Sequence, residues 1–109
     1  MLKIDGHRIT LTRGDTLTLT LTLKKNNQTY TPVEGDVIRF ALAQGYVTDP
    51  AYSLKKELTI PNDTLTFTLT SADTALEYRD YNYDIQITHS DGTVDTFISS
   101  TLTITGEVK

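Results

Sequence analysis

The chain has 109 residues, enough for one domain of ordinary size and too few for two. Ten lysines and arginines against fourteen aspartates and glutamates give a net charge of −4, whereas a nucleic-acid-binding protein needs a basic surface. The absence of cysteine excludes disulfides and thiolate metal sites, and no apolar run reaches the length of about 18 residues that spans a membrane. We therefore expect a single domain over residues 1–109, with no nucleic-acid partner and no membrane partner.

Alternation of polar and apolar residues predicts β-strands along most of the chain. In the segment 16–23 every odd residue is leucine and every even residue is threonine, which places one apolar row on one face of a strand. We expect Leu19 and Leu21 to lie in the core and Thr18 and Thr20 to lie outside. Similar rows predict strands at roughly 2–5 with 8–12, and at 15–24, 36–43, 53–60, 64–70, 80–89 and 93–105.

Turn-forming residues separate these rows, mostly at the 8–12-residue spacing of β-sandwiches and barrels. Ser90–Thr93 is the strongest hairpin signal, because Asp-Gly tolerates the positive φ angles of a type I′ turn. Ser71–Tyr78 is the one helical candidate, about two turns long, and we interpret it as a connection between strands. Leu54, Leu58 and Ile60 form an inward row with Lys56 between them, and a charge in such a row indicates an edge strand. Phe97, out of phase with its neighbours, indicates a bulge or a covered outer surface.

The fold class predicted from these rows is all-β. Rows with one polar face favour antiparallel sheets, and two such sheets pack face to face as a sandwich. Tyr81 begins the sixth predicted strand directly after the 71–80 connection. This is the position of the tyrosine corner in immunoglobulin-like domains, where a tyrosine hydroxyl bonds back to the preceding connection. The alternative is that Tyr81 and Tyr83 are two core aromatic residues without this bond. We therefore predict an immunoglobulin-like antiparallel β-sandwich of about seven strands.

Few residues suggest catalytic or metal-binding chemistry. His7 and His89 lie far apart in the sequence, so we expect each to be an ordinary strand or surface residue. The stretch from Asp91 to Asp95 lacks the ligand pattern of a calcium loop. Asp80 and Asp84 share one strand face, as a pair of glycosidase carboxylates would, but nothing in the sequence predicts the cleft that such a pair needs, so we interpret them as a solvated surface. We predict no catalytic residue, no cofactor-binding residue and no metal ligand.

The tripeptide Arg13-Gly14-Asp15 matches the motif of integrin ligands, but it also suits a tight turn before a strand. We interpret it as structural. Positive φ at Gly14 would be the reason for the glycine.

The chain resembles the N-terminal domain of phage baseplate upper proteins, which are tail components of siphophages and prophages of Gram-positive bacteria. Strand and turn signatures in the family's order carry the resemblance over almost the whole chain, from Leu2 to Val108: Arg13–Thr16, Glu34–Phe40, Asp73–Leu76, Tyr81–Ile87, Ser90–Thr96 and Thr103–Val108. One departure is Arg79, where the family pattern has glycine two residues before the corner tyrosine.

The resemblance implies a non-enzymatic phage or prophage tail or baseplate structural protein that acts as a protein–protein docking module. Its partners would be other tail and baseplate proteins, and assembly as a homo-oligomer stays open. Met1–Gly6 contains no apolar segment of the signal-peptide type, so we expect synthesis in a cytoplasm. The resemblance implies that this cytoplasm is bacterial and that the protein is localised in the virion. The alternative function is a bacterial immunoglobulin-like adhesion or carbohydrate-binding module.

Overall fold

The computed structural model describes residues 3–106, and within that range it contains ten strands and no helix. In chain order the strands are β1 (Lys3–Asp5), β2 (Arg8–Thr12), β3 (Leu17–Thr20), β4 (Lys24–Lys25), β5 (Gln28–Thr29), β6 (Val37–Gln44), β7 (Ser53–Ile60), β8 (Thr66–Leu69), β9 (Arg79–Thr88) and β10 (Val94–Thr105). The all-β prediction is confirmed. Leu2, the first residue of the predicted strand 2–5, and Val108, the end of the resemblance, lie outside the described residues.

Within the described residues the strands form one six-stranded sheet and two two-stranded sheets. The larger sheet has the order β1-β2-β10-β9-β6-β7, β3 pairs with β8, and β4 pairs with β5 in a separate hairpin. All pairs are antiparallel except β2 with β10, which run parallel. The prediction of purely antiparallel sheets is wrong at this pair, because alternation reports which side of a strand is buried and not the direction of its neighbour.

The core lies between the six-stranded sheet and the β3–β8 pair. Phe40 of β6 and Phe67 of β8 meet across it, with ring centroids 4.9 Å apart. The predicted parity of β3 is confirmed, since Thr18 and Thr20 are exposed. Leu17 and Leu23 are buried, but Leu19 and Leu21 are only half-buried and pack against the edge of the core. Leu19 and Leu21 line an apolar groove between the sheets.

Three turns differ in detail from the sequence prediction. Asn26 and Asn27 both have positive φ, at 53° and 65°, and they close the β4–β5 hairpin, which the sequence indicated only as a turn. At Ser90–Gly92 only Gly92 has positive φ, and its N–H bonds to the carbonyl of His89. The hairpin is therefore present without a type I′ turn. The segment from Ser71 to Tyr78 is a series of turns and not a helix.

In β7 and β10 the inward-facing residues switch between odd and even positions along the strand, and a register shift explains each switch. The β9–β10 register shifts between Thr96 and Ile98, so the bulge predicted at Phe97 is confirmed. Phe97 packs against the core, and Val94 on the far side of the bulge is exposed. A second shift opposite Lys56 turns Leu54 outward, against its predicted place in the inward row. Lys56 itself lies on an edge strand as predicted.

The hydroxyl groups of Tyr81 and Tyr83 form hydrogen bonds between the six-stranded sheet and two connecting segments. The buried Tyr81 donates to the backbone carbonyl of Glu77 at 2.8 Å, the bond predicted for a tyrosine corner. Tyr83 donates to the backbone carbonyl of His7, in the turn between β1 and β2. Burial raises the pKa of Tyr81 above its ordinary value and that of Tyr83 to about 12, consistent with hydroxyl groups that stay protonated as donors.

We predict that Tyr81→Phe and Tyr83→Phe each lower the free energy of unfolding by about 0.5–1.5 kcal/mol, because each removes one hydrogen bond and leaves the ring in place. Tyr46→Phe is the control, since that side chain is 62% exposed. Denaturant unfolding of the three variants measures the difference. Equal stability of all three would mean that neither hydroxyl bond contributes.

Candidate functional site

The structure brings together residues that the sequence placed far apart. His89, the residue after β9, lies between two aspartates: its Nδ1 is 2.9 Å from Asp36 Oδ1, and its Nε2 is 2.9 Å from Asp95 Oδ2. Lys25 extends the chain of charges, with Nζ 3.1 Å from Asp95 Oδ2. We call Lys25, Asp36, His89 and Asp95 the charge cluster. It joins the β4–β5 hairpin, the start of β6 and the β9–β10 hairpin.

Asp36 is the buried member of the charge cluster. Its carboxylate accepts a hydrogen bond from the Tyr30 hydroxyl at 2.6 Å and another from the Val33 N–H at 3.0 Å. Gly35 makes this approach feasible: with φ at +94° it passes so close to the hairpin that an added Cβ would lie 2.9 Å from Ser90 Cβ. The glycine in the Glu34-Gly35-Asp36 turn therefore has a packing role besides its positive φ.

Hydrogen bonding sets the charge state of the charge cluster. The bond from Tyr30 lowers the pKa of Asp36 below its ordinary value, with the bonds from Val33 and His89 adding to the effect against the opposing influence of burial. The bonds to Asp95 and Asp36 raise the pKa of His89. The bond to Asp36 also raises the pKa of Tyr30 to about 12. The favoured state is an imidazolium between two carboxylates.

The geometry of the charge cluster suits non-covalent contacts that hold loops together, and it does not suit ligand binding. The two ring nitrogens of His89 point in opposite directions, and each already faces a carboxylate, so the three side chains do not converge on one point. Among residues 3–106, no group of three or more histidine, aspartate or glutamate side chains is placed to hold a metal ion. His89, expected to be an ordinary strand or surface residue, is instead the centre of a polar network.

The other residues singled out in the sequence lie apart from the charge cluster. The Asp91 carboxylate caps the hairpin by accepting a hydrogen bond from the Thr93 N–H at 2.9 Å. Asp80 and Asp84 both face outward on β9, but four residues of strand separate their Cα atoms by about 13 Å. Each carboxylate also has its own neighbour, since Asp80 accepts a hydrogen bond from the Thr103 hydroxyl at 2.6 Å and Asp84 lies 3.8 Å from the Arg39 guanidinium.

The Arg13-Gly14-Asp15 segment forms the turn between β2 and β3, and several hydrogen bonds anchor it. The Arg13 N–H donates to the Thr105 carbonyl at 2.9 Å, and the buried Thr74 hydroxyl donates to the Asp15 carbonyl at 2.7 Å. Gly14 has a φ of 84°, the left-handed conformation anticipated for this glycine. These contacts agree with the structural interpretation of the tripeptide.

A shallow groove of about 160 Å³ lies on the outer face of the six-stranded sheet. Arg39 is its central charge: the guanidinium donates to Glu57 at 2.9 Å and to Gln86 at 2.7 Å, and it lies 3.8 Å from Asp84. At one end, the loop after β6 presents Tyr46, which is 62% exposed. We call this the outer-face groove. Arginine and tyrosine, which both line this groove, are residue types enriched among the residues that dominate protein–protein binding.

No family model, curated protein or solved structure matches this chain. Within residues 3–106 the structure contains no helix at all, and hence none that would cross a membrane.

Sequence reasoning missed the charge cluster because Asp36 and Asp95 look like ordinary turn and strand-start residues. The predicted strands did contain a signal for the proximity of these residues. Antiparallel pairing of the strands predicted at 36–43 and 80–89 places Asp36 near His89, and the hairpin at Ser90–Thr93 brings Asp95 back to the same place. Finding the outer-face groove would have needed the order of strands in the sheet.

We predict that His89→Gln destabilises the protein in a pH-dependent way. The folded-state pKa of His89 is raised above 6.5, so its stabilisation is complete below pH 6.5 and is lost as the pH rises through the folded value. The folded-state pKa values of Asp36 and Asp95 are lowered, so their stabilisation is present above about pH 4 and is lost as the pH falls through those values.

The difference in unfolding free energy between wild type and His89→Gln should therefore be largest near pH 5–6 and should shrink towards pH 9. Urea unfolding across this range measures it, with the exposed His7→Gln as the matched control. A difference that stays constant from pH 5 to pH 9 would mean that the pKa of His89 is the same in the folded and unfolded states, which would contradict its contacts with the two carboxylates.

Proposed function

We propose that the protein is a non-enzymatic structural component of a phage or prophage tail or baseplate that docks onto other tail proteins. The observation that carries the proposal is the ordered series of strand and turn signatures over Leu2–Val108 that resembles the N-terminal domain of phage baseplate upper proteins. The all-β sandwich agrees with the fold that this resemblance implies. Localisation in the virion is part of the same proposal.

We further propose that the sandwich is immunoglobulin-like. The bond from the Tyr81 hydroxyl to the Glu77 carbonyl supports this, because it has the form of a tyrosine corner at the start of the strand where one was expected. The departure at Arg79 has a local explanation. Arg79 is already the first residue of β9 and its φ is not positive, so its backbone does not need glycine. Its guanidinium lies 5.9 Å from the centroid of the Tyr81 ring.

The outer-face groove is the surface that we propose for docking. Arg39 lines this groove together with the side chains of Tyr46 and Val47, which are 62% and 78% exposed. Burial of these two side chains would supply apolar area, and Arg39 would supply directional hydrogen bonds at the centre. Tyr46 also lies in an anchored turn, because its N–H donates to the Asp49 carboxylate at 2.7 Å.

The proposal is tested in the bacterium that carries the gene. DNA damage induces the prophage, particles are purified on a density gradient, and mass spectrometry measures the amount of the protein per particle. We expect the protein in wild-type particles and loss of the tail-tip structure in particles from a deletion strain. Absence from the particles together with binding to purified cell walls would contradict the proposal and favour the adhesion or carbohydrate-binding alternative.

A pair of variants locates the docking surface. Complementation with Tyr46→Ala should lower incorporation into particles at least several-fold, because it removes the exposed aromatic group of the outer-face groove. Tyr78→Ala is the matched control, since Tyr78 is 59% exposed and lies outside this groove. Equal incorporation of both variants would contradict docking through this surface.

A further inference from the structure

The strand β3 has one edge without a partner in the part of the chain that the structure describes. It belongs to a two-stranded sheet and pairs only with β8. The Leu21 N–H donates to the Leu65 carbonyl at 2.8 Å, so by the two-residue period of an antiparallel ladder the odd residues bond towards β8. The backbone groups of Thr18 and Thr20 therefore face the open edge.

This edge lacks the features that normally prevent strand pairing. Residues 16–23 contain no charge, no proline and no glycine. The edge strand β7 of the larger sheet differs, since it contains Lys55, Lys56 and Glu57. A regular, uncharged edge strand is a template for another strand, and β3 is one.

An apolar groove of about 310 Å³ runs beside the open edge of β3. Its walls include the half-buried Leu19 and Leu21, the core residues Ile9 and Ile98, and the turn at His7. A strand added to β3 would place every second side chain over this groove. The occupant must therefore be an extended strand with apolar residues on one face and uncharged polar residues on the other.

We propose that the occupant is β3 of a second copy of this chain. The segment 16–23 has the required alternation, leucine on the groove side and threonine on the outer side. Antiparallel pairing about a two-fold axis at Thr20 places Leu19 of each copy opposite Leu21 of the other, on the groove side. The result is a continuous four-stranded sheet in the order β8-β3-β3-β8.

Charge and side-chain bonding support pairing of β3 with itself. The segment begins after Asp15 and ends before Lys24 and Lys25, so the antiparallel two-fold arrangement brings the acidic end of one copy to the basic end of the other. Threonine pairing on the outer face already has a precedent within the chain, where the hydroxyl groups of Thr20 and Thr66 lie 2.8 Å apart across the β3–β8 ladder. This proposal does not depend on the phage assignment.

Cross-linking through a single cysteine tests the geometry, because the chain contains no cysteine of its own. Thr20→Cys places the two sulfur-bearing residues opposite each other with Cα atoms about 5.5 Å apart, within the range for a disulfide. Thr68→Cys is the matched control. Thr68 is also exposed and also pairs with a threonine, but its Cα atoms in the two copies would be about 20 Å apart, because three strand spacings across the sheet and four residues along the strands separate them. We expect a covalent dimer from Thr20→Cys and none from Thr68→Cys.

Sedimentation analysis tests the association itself. We expect wild-type protein to dimerise with rising concentration, and Thr20→Lys to raise the dimer dissociation constant roughly fivefold by setting like charges opposite each other. Thr68→Lys, which loses an equivalent threonine bond, should leave the dissociation constant unchanged. Thermal melting of both variants controls for folding.

Two results would overturn the proposal. A protein that stays monomeric up to roughly 1 mM does not pair with itself, and the open edge would then belong to a strand of a different protein. A dimer that neither cross-links through Thr20→Cys nor weakens with Thr20→Lys has its interface elsewhere.

Discussion

The sandwich depends on a sheet of only two strands covering one face of a sheet of six. Leu17, Phe67 and Leu69 are buried on the inner face of this small sheet, and a shift of one residue in either strand would turn its apolar row outward. On the outer face, hydrogen bonds join Thr18 to Thr68 at 3.0 Å and Thr20 to Thr66 at 2.8 Å. Core packing and surface hydroxyl bonds therefore select the same register. Because this sheet has only two strands, the apolar groove at Leu19 and Leu21 stays uncovered.

The central strand β9 is fastened at both ends by polar contacts. Near its start, Tyr81 bonds to the carbonyl of Glu77 in the preceding connection. At its end, His89 lies between Asp36 and Asp95 and joins it to the strands on either side. Between these ends the inward residues of β9 are buried. The strand β9 therefore connects its two neighbouring strands, β10 and β6, with the segments at Glu77 and Asp36.

The longer strands could be predicted from the sequence because their alternation depends on local burial. The predicted count of about seven falls short of the ten present in residues 3–106, because β4 and β5 are exposed two-residue strands without an apolar row, and the strand predicted at 15–24 ends at Thr20. The same pattern says nothing about which strands are neighbours, so the parallel pair of β2 with β10 was not foreseen. Tyr81 was found because its bond reaches only four residues back along the chain. The contact of His89 with Asp36 joins residues 53 positions apart and depends on how β6 pairs with β9. The outer-face groove was missed for the same reason.

Amide hydrogen exchange of β3 tests the central claim, that its leucine row faces the core while its backbone pairs on one side only. In dilute monomeric protein, the Leu19 and Leu21 amides should exchange slowly because they bond towards β8, and the Thr18 and Thr20 amides should exchange much faster at the open edge. Equal protection of odd and even residues, or slower exchange at the threonines, would contradict the register and the open edge together.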